Sequence, residues 1–261
     1  MWEAELKLGL RHDGARTVLA SRSHRGPLVV QRPFWPEGDV CHLYLVHPPG
    51  GIVSGDDVRL VLDARDDAHA LVTTPAATKF YRARGGEPAR LSQHLTVDDA
   101  RLEWLPQETI VFDGAEARTR TQVHLGPRAR FIGWEILCLG RPASGHAFAS
   151  GAIHQDFELW RDGQPVLLDL LRVRPQAGLD EPWSFAGHTA LGTLLATPAR
   201  AEDVERVRSA DVACTLVDGV LQARTLAAGA EAVRRRLQAI WHLLRPALMS
   251  REALAPRIWA T

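Results

Sequence analysis

The chain has 261 residues, and its 31 lysine and arginine residues are balanced by 31 aspartate and glutamate residues. A net charge of zero argues against nucleic acid as the main partner, because such binding depends on neutralising phosphates. Three widely spaced cysteines, Cys41, Cys138 and Cys214, argue against a disulfide framework and against a Cys-x-x-Cys zinc site. No signal peptide and no apolar run of about 18–20 residues is found. We therefore expect free thiols and a cytoplasmic location.

The first two thirds of the chain have the pattern of an all-β domain, with short apolar runs between turn residues up to about Arg174. Runs at 42–46 and 58–62 predict two strands on either side of a loop at 47–57. Between 48 and 55 this loop has two prolines and three glycines, more than an ordinary turn requires. The excess predicts a tightly specified corner, which ends at Asp56 and Asp57.

Three later segments of the chain carry specific predictions. The nearly continuous apolar run at 131–139 predicts a strand covered on both faces, and Glu135 within it is a carboxylate in a costly position. The pairs Asp162-Gly163 and Asp218-Gly219 each suit the tight turn of an antiparallel hairpin.

Two helices are predicted in the last third, so that about 197–246 forms a helical portion packed on the β body of a single domain, 1–261. In the first helix Thr197 is the predicted cap and Pro198 the first helical residue, with the end near Ser209.

The second predicted helix spans about 230–245 and ends at Pro246. It carries one apolar stripe, formed by Val233, Leu237, Ile240, Trp241 and Leu244. The stripe either packs on the core of the chain or faces a partner.

Common catalytic motifs are absent from the sequence: it has no hydrolase elbow, no phosphate-binding loop ending in Lys-Ser/Thr and no His-Glu-x-x-His. The glycines at 50–55 lack a following lysine and helix, which makes them a weak phosphate cradle. Lys79 suits either a Schiff base or, more commonly, a structural ion pair or backbone contact.

Three acids adjoin or interrupt apolar strands: Asp56, Glu135 and Asp169. A buried carboxylate must be paired, hydrogen-bonded, protonated or in contact with internal water. Each acid taken singly suits a structural role. Together they would line an internal polar passage for a divalent cation, and oxygen ligands favour transfer of such an ion over storage.

A set of short stretches follows one another in a fixed order from residue 31 to the carboxyl terminus: Gln31-Arg32-Pro33-Phe34, Pro36-Glu37-Gly38-Asp39, Cys41-His42-Leu43-Tyr44-Leu45, His47-Pro48-Pro49-Gly50-Gly51, Gly55-Asp56, Thr78-Lys79-Phe80-Tyr81-Arg82, Leu102-Glu103-Trp104-Leu105-Pro106-Gln107-Glu108, Leu137-Cys138-Leu139-Gly140-Arg141-Pro142, Trp241, Leu244-Arg245-Pro246 and Pro256-Arg257-Ile258-Trp259. In these stretches and in their order the chain resembles the urease accessory protein D family (UreD, called UreH in some organisms).

This resemblance implies a non-enzymatic metallochaperone scaffold. The implied fold is mainly β, a β-helix-like stack of short strands with two helices in the carboxyl-terminal third. The implied partners are urease apoprotein and the accessory proteins F and G, of which G is a GTPase that delivers nickel. No cofactor is expected to bind tightly; nickel is expected in transit through an internal water-filled passage.

The resemblance also implies specific site residues. The family positions of the passage match Asp56, Thr78, Glu135 and Asp169. A surface facing the F protein is implied for the last helix and tail, with the residues Trp241, Leu244, Arg257, Ile258 and Trp259.

Two other interpretations remain open at this point. One is an enzyme with its site at the corner from Gly50 to Asp56, where Lys79 or Glu108 supplies acid–base chemistry. The other is a plain β interaction module that only holds partners together.

Overall fold

The computed structural model describes residues 2–175 and 178–260, and within these ranges the chain forms seventeen strands and two α-helices. The strands are β1 (Glu3–His12), β2 (Thr17–Arg25), β3 (Val29–Val30), β4 (Cys41–Val46), β5 (Asp57–Ala64), β6 (His69–Thr73), β7 (Thr78–Phe80), β8 (Ala89–Val97), β9 (Arg101–Trp104), β10 (Thr109–Val111), β11 (Ala115–Leu125), β12 (Arg130–Leu139), β13 (Gly151–Arg161), β14 (Gln164–Val173), β15 (Ala190–Thr197), β16 (Ala213–Val217) and β17 (Val220–Ala227). The helices are α1 (Ala201–Arg208) and α2 (Ala230–Met249).

Two large mixed sheets contain most of these strands. The first has the order β14-β13-β11-β8-β5-β1-β2; its five inner strands are parallel, and an antiparallel strand closes each end. The second has the order β16-β17-β15-β12-β9-β6-β4-β3, in which β12, β9, β6 and β4 are parallel.

The chain passes back and forth between the two sheets and so forms a coil. Cys41, Ala70, Leu102 and Phe131 lie in register on the second sheet, one in each coil, 29 to 32 residues apart. A short third face aligns Ile52, Phe80, Val111 and Leu139 in the same way. This geometry confirms the predicted mainly β fold with a β-helix-like stack. The coils differ in length, and the sequence accordingly shows no repeat of fixed period.

The strand sequences follow from which faces are covered. In β5 the buried side chains are Val58, Leu60, Leu62 and Ala64, every second residue, since only one face of that strand meets the interior. Residues 131–139 of β12 are buried throughout, because the coil interior covers one face and the helices cover the other. Both predicted Asp-Gly hairpins are confirmed: they join β13 to β14 and β16 to β17, with positive φ at Asp162 and Asp218.

The first helix starts later than predicted. Thr197 is not its cap but the last residue of β15, and its hydroxyl donates to the Gly219 carbonyl (2.9 Å). Arg200 is the N-cap of α1, and the Asp203 carboxylate accepts the Arg200 backbone N–H (2.9 Å). Sheet pairing therefore takes Thr197 away from the helix, whereas the predicted end near Ser209 agrees with the structure.

The second helix is longer than predicted, because Pro246 lies inside it and does not end it. Leu248 and Met249 beyond the proline are buried, so packing keeps the last turn helical until Ser250, which has φ 57°. The five residues of the apolar stripe are all fully buried, so the stripe packs on the protein's own core. Strands β12, β15 and β17 lie beneath α2.

Candidate functional site in the interior of the coil

A cavity of about 160 Å³ lies inside the coil, between the two sheets. Polar side chains from both sheets line it: Gln93 of β8, Thr119 of β11 and Gln155 of β13 from the first sheet, and Glu135 of β12 from the second. Near the 47–57 corner its wall is formed by residues that include His47, Gly50, Gly51, Thr78 and Lys79. The interior of this β stack is therefore partly polar.

Glu135 is the acidic residue of the cavity wall. It is 8% exposed and accepts hydrogen bonds from the Thr121 hydroxyl and from the Gln155 amide. Burial raises the pKa of Glu135 to about 7, because desolvation and the nearby Asp169 and Asp156 outweigh the two donors, which act to lower it. At neutral pH this carboxyl group therefore exists in both its charged and its neutral form.

Other polar atoms of the cavity wall need partners that the protein does not supply. Within the described ranges, Thr119 Oγ1, Gln155 Oε1 and Trp104 Nε1 are buried without a hydrogen-bond partner. A buried polar atom without a partner costs about 1–3 kcal/mol, so such groups normally bind water. A water molecule occupies about 30 Å³ in the liquid, and the cavity therefore has both the volume and the polar lining to hold several.

Asp56 lies at the corner and not in the cavity wall. Its carboxylate accepts the backbone N–H groups of Trp2 (2.8 Å) and Val53 (3.1 Å), which ties the amino-terminal segment to the corner. The corner is tightly specified, as predicted: Gly50 and Gly55 have φ of 77° and 83°, and the Tyr81 ring leaves no room for a Cβ on Gly51.

Replacing Asp56 with alanine should destabilise the protein, because two backbone donors lose their acceptor at a buried position. We expect a loss of about 1–3 kcal/mol in the free energy of unfolding, measured by denaturant titration. Glu116→Ala is the matched control, since Glu116 is an exposed carboxylate on β11. An unchanged midpoint for Asp56→Ala would contradict the structural role of these two hydrogen bonds.

Asp169 lies on β14 and joins the two sheets. Its carboxylate pairs with Arg224 and accepts a hydrogen bond from the Gln222 amide (3.1 Å), both residues of β17. It does not line the cavity, although its charge contributes to the raised pKa of Glu135. Across 2–175 and 178–260, no three His, Cys, Asp or Glu side chains lie close enough together to hold a metal ion. The predicted acids thus do not form one coordination site; Glu135 and Thr78 share the cavity, and Asp56 and Asp169 lie outside its wall.

The residues proposed for an enzyme at the corner are only partly brought together. Gly50, Gly51 and Lys79 share the cavity wall. Glu108 instead pairs with Arg234 of α2 (3.3 Å), and Asp56 is engaged by backbone N–H groups. Neither carboxylate lines the cavity whose wall contains Lys79.

A buried ion network joins α2 to the β body. Arg245 is fully buried and donates to Glu103 of β9 (2.9 and 3.0 Å) and to Glu37 (2.7 and 2.8 Å). It also donates to the Glu252 carbonyl in the tail, while Trp241 Nε1 donates to Glu103 (2.6 Å). One guanidinium therefore links helix α2, strand β9, the turn that contains Glu37, and the tail.

Two histidines complete the network from the other side. His42 Nε2 lies 2.7 Å from Glu37 and His69 Nε2 lies 2.9 Å from Glu103. Burial alone would raise the pKa of Glu37, but His42 and Arg245 outweigh it and lower that pKa to about 2; the pKa of Glu103 is lowered in the same way by His69 and Arg245. Both carboxylates are therefore ionised, and each histidine presents Nε2–H to its carboxylate.

The carboxyl-terminal tail folds back over the helix and the second sheet. Trp259 Nε1 donates to Thr73 Oγ1 (3.0 Å), and the Trp259 ring lies 5.6 Å from the rings of both Trp134 and Trp241. Arg257 is exposed, and Ile258 and Trp259 are half-buried. Trp241 and Leu244, also predicted for a partner surface, are fully buried, so in this structure they support the tail and helix from within.

Comparison with known proteins decides the family. A family profile described as "UreD urease accessory protein" matches residues 3–260. The chain belongs to the UreD family. It is 42% identical to the urease accessory protein UreD of Citrobacter koseri, over all of this chain and 92% of that protein. It is likewise 42% identical to UreD of Klebsiella aerogenes, covering 97% of that protein, and 40% identical to UreD of Alcanivorax borkumensis, covering 92%.

Membership of the UreD family supports a role in urease maturation, and these relatives bear the name of an accessory protein and not of an enzyme. No helix in the described part of the chain is long and apolar enough to cross a membrane.

Several of the UreD-like sequence stretches contribute residues to one buried ion network. Glu37, His42, Glu103, Trp241 and Arg245, which are far apart in the chain, meet in the ion network. Their charges were not singled out from the sequence as a site. A signal was present: Glu103 interrupts the apolar run 102–105 as Glu135 interrupts 131–139, and Arg245 lies four residues after Trp241 on the buried side of α2.

Proposed function

We propose that this UreD family member is a scaffold for urease maturation. It binds urease apoprotein together with the accessory proteins F and G, and nickel crosses its interior cavity on the way to the urease active site. It acts in the cytoplasm, has no catalytic residues of its own and holds nickel only in transit. The observation that carries the proposal is the cavity, whose wall combines Glu135 with polar atoms that lack protein partners.

The chemistry of the wall supports transit over storage. Carboxylate, amide and hydroxyl oxygens of Glu135, Gln155 and Thr119 are suitable ligands for a hydrated divalent cation. Because no three acidic, histidine or cysteine side chains converge in the described ranges, the ion would be held by few protein ligands at a time and would leave easily. Thr78 lines the cavity near the 47–57 corner, at one end of the proposed nickel route. Asp56 and Asp169 lie outside the cavity wall: Asp56 holds the corner in place, and the charge of Asp169 raises the pKa of Glu135.

The tail supports the scaffold part of the proposal. Arg257 is exposed, and Ile258 and Trp259 show part of their surface beside it. The ion network and the ring contacts hold this segment on the body, which gives a partner such as the F protein a preformed surface. Trp241 and Leu244 are buried beneath this surface, so they support it and do not contact the partner directly.

Co-expression in a host without its own urease genes tests the proposal. Urease subunits with the full set of accessory proteins should yield active, nickel-containing urease, and omission of this chain should leave apoprotein. Nickel content and urea hydrolysis of the purified urease are the measurements. Normal activation without this chain would refute the proposed function.

A further inference from the structure

The strand at one end of the first sheet, β14, is an edge strand. β14 pairs only with β13 in the described part of the chain, and its other backbone edge has no partner strand there. Leu168 is 49% exposed and Leu170 is 54% exposed on this strand. Long apolar edge strands promote aggregation and are normally protected by charge, proline or a covering element.

The edge strand at the opposite end of the same sheet, β2, is protected by polar and charged side chains. The edge strand β2 carries the exposed run Ser21-Arg22-Ser23-His24-Arg25. In the middle of β14, by contrast, the exposed residues are leucines, and its proline lies at the second position of the strand. One sheet thus has a charged, polar edge strand and an edge strand with exposed leucines.

A groove continues from the carboxyl-terminal half of β14, with a volume of about 710 Å³. Its apolar wall includes Leu170, Phe185, Leu226 and Trp183, the last of which is 82% exposed. A tryptophan exposed to this degree beside a groove is typical of a binding anchor.

The charge of the groove selects the kind of occupant. Its wall contains three arginines, Arg172, Arg174 and Arg224, and no acidic residue. Arg172 pairs with Asp156 and Arg224 pairs with Asp169, whereas Arg174 is exposed and has no ion pair within the described ranges. Arg174 therefore supplies one uncompensated positive charge next to apolar surface, which is complementary to a segment with acidic and apolar side chains.

We propose that the free edge of β14 and the adjoining groove bind an extended acidic segment of a partner protein by strand addition. The backbone of that segment pairs with β14, its apolar side chains meet Leu168, Leu170 and Trp183, and its carboxylates meet Arg174 and its neighbours. The binding surface itself does not depend on the proposed function. Only the identity of the partner, as a protein of urease maturation, rests on it.

Peptide binding tests the surface directly. The probe is a fluorescein-labelled ten-residue peptide that alternates valine or leucine with aspartate or glutamate, and fluorescence anisotropy is measured with the full-length protein. We expect binding at least tenfold tighter than for the same peptide with lysine in place of the acids. Leu170→Asp and Arg174→Glu should each weaken binding at least tenfold, and the matched controls Leu243→Asp and Arg84→Glu should not.

Backbone methylation distinguishes strand addition from simple charge attraction. In an added strand only alternate N–H groups point at the partner edge. Of two peptides N-methylated at odd or at even positions, one should lose binding and the other should keep it. Equal loss in both, or equal binding of the acidic and lysine peptides, would overturn the proposal.

Two further measurements separate this proposal from its alternatives. A concentration-dependent dimer by light scattering, abolished by Leu170→Asp, would overturn it in favour of a second copy of this chain as the occupant. In the co-expression assay, Leu170→Asp should reduce urease activation. Failure of the wild-type protein in that assay would count against the proposed function and leave the peptide result standing.

Discussion

Arg245→Met should cause the largest loss of stability of any single substitution considered for this protein. It leaves Glu37 and the fully buried Glu103 without their shared guanidinium. Removing one partner from a buried ion pair typically costs about 3–5 kcal/mol, a large part of the 5–15 kcal/mol that stabilises a typical domain. We expect a Tm lower by about 10 °C in calorimetry, or an insoluble protein.

The control and a compensating variant make this prediction decisive even if the single variant does not fold. Arg235→Met removes an exposed arginine from the same helix and should change stability by less than about 0.5 kcal/mol. Combining Arg245→Met with Glu37→Gln and Glu103→Gln removes the unpaired charges and should restore a soluble, folded protein. A loss below about 1 kcal/mol for Arg245→Met, or no recovery in the triple variant, would contradict the network's role.

Glu135→Gln should stabilise the protein at alkaline pH and impair nickel delivery at the same time. The pKa of Glu135 is raised from 4.5 to about 7 in the folded state, so its stability contribution is complete below pH 4.5 and is lost as the pH rises through 7. A shift of this size corresponds to about 3 kcal/mol. The neutral amide avoids that cost, and the unpartnered Gln155 Oε1 is available to accept its N–H after an amide flip.

The stability effect is measured by denaturant titration at two pH values. We expect Glu135→Gln to be more stable than wild type by about 2–3 kcal/mol at pH 8, and the advantage to fall to less than about 1 kcal/mol at pH 5. An advantage independent of pH would show that Glu135 does not titrate in this range.

Nickel delivery is measured in the co-expression assay with the same variant. Loss of the carboxylate should lower the nickel content of urease several-fold, while Glu135→Asp, which keeps the charge, should retain most of it. Capture of the partner proteins should be unchanged for both. Normal nickel loading by a folded Glu135→Gln protein would remove the cavity from the nickel route and favour a plain interaction module.

Local rules predicted the elements well wherever the chain's immediate neighbours decide the conformation. The Asp-Gly hairpins, the strands on either side of the 47–57 corner and the doubly covered strand at 131–139 follow from turn chemistry and apolar spacing. The same rules were wrong at the start of α1 and at the end of α2. Thr197 pairs in the sheet as the last residue of β15, and burial of Leu248 and Met249 keeps the helix intact beyond Pro246. Both effects come from contacts with residues that are distant in the sequence.

The candidate site shows the same division. That Glu135 is buried could be predicted from its place in an apolar run, because a carboxylate there has no route to bulk water. The partners of the three acids could not be predicted, since strand register sets them. They are Thr121 and Gln155 for Glu135, backbone N–H groups for Asp56, and Arg224 for Asp169.

The sequence by itself indicated a mainly β chain and buried acids, because these depend on apolar spacing along the chain; the order of its motifs indicated the family and, through that resemblance, the coil. Only the tertiary structure decided what each acid does. Glu135 lines a cavity, Asp56 ties down a corner, Asp169 joins two sheets, and Glu103 shares Arg245 with Glu37. The physical reason is that the charge state and role of a buried carboxylate depend on donors within about 3 Å, and folding brings those donors from positions up to 208 residues away.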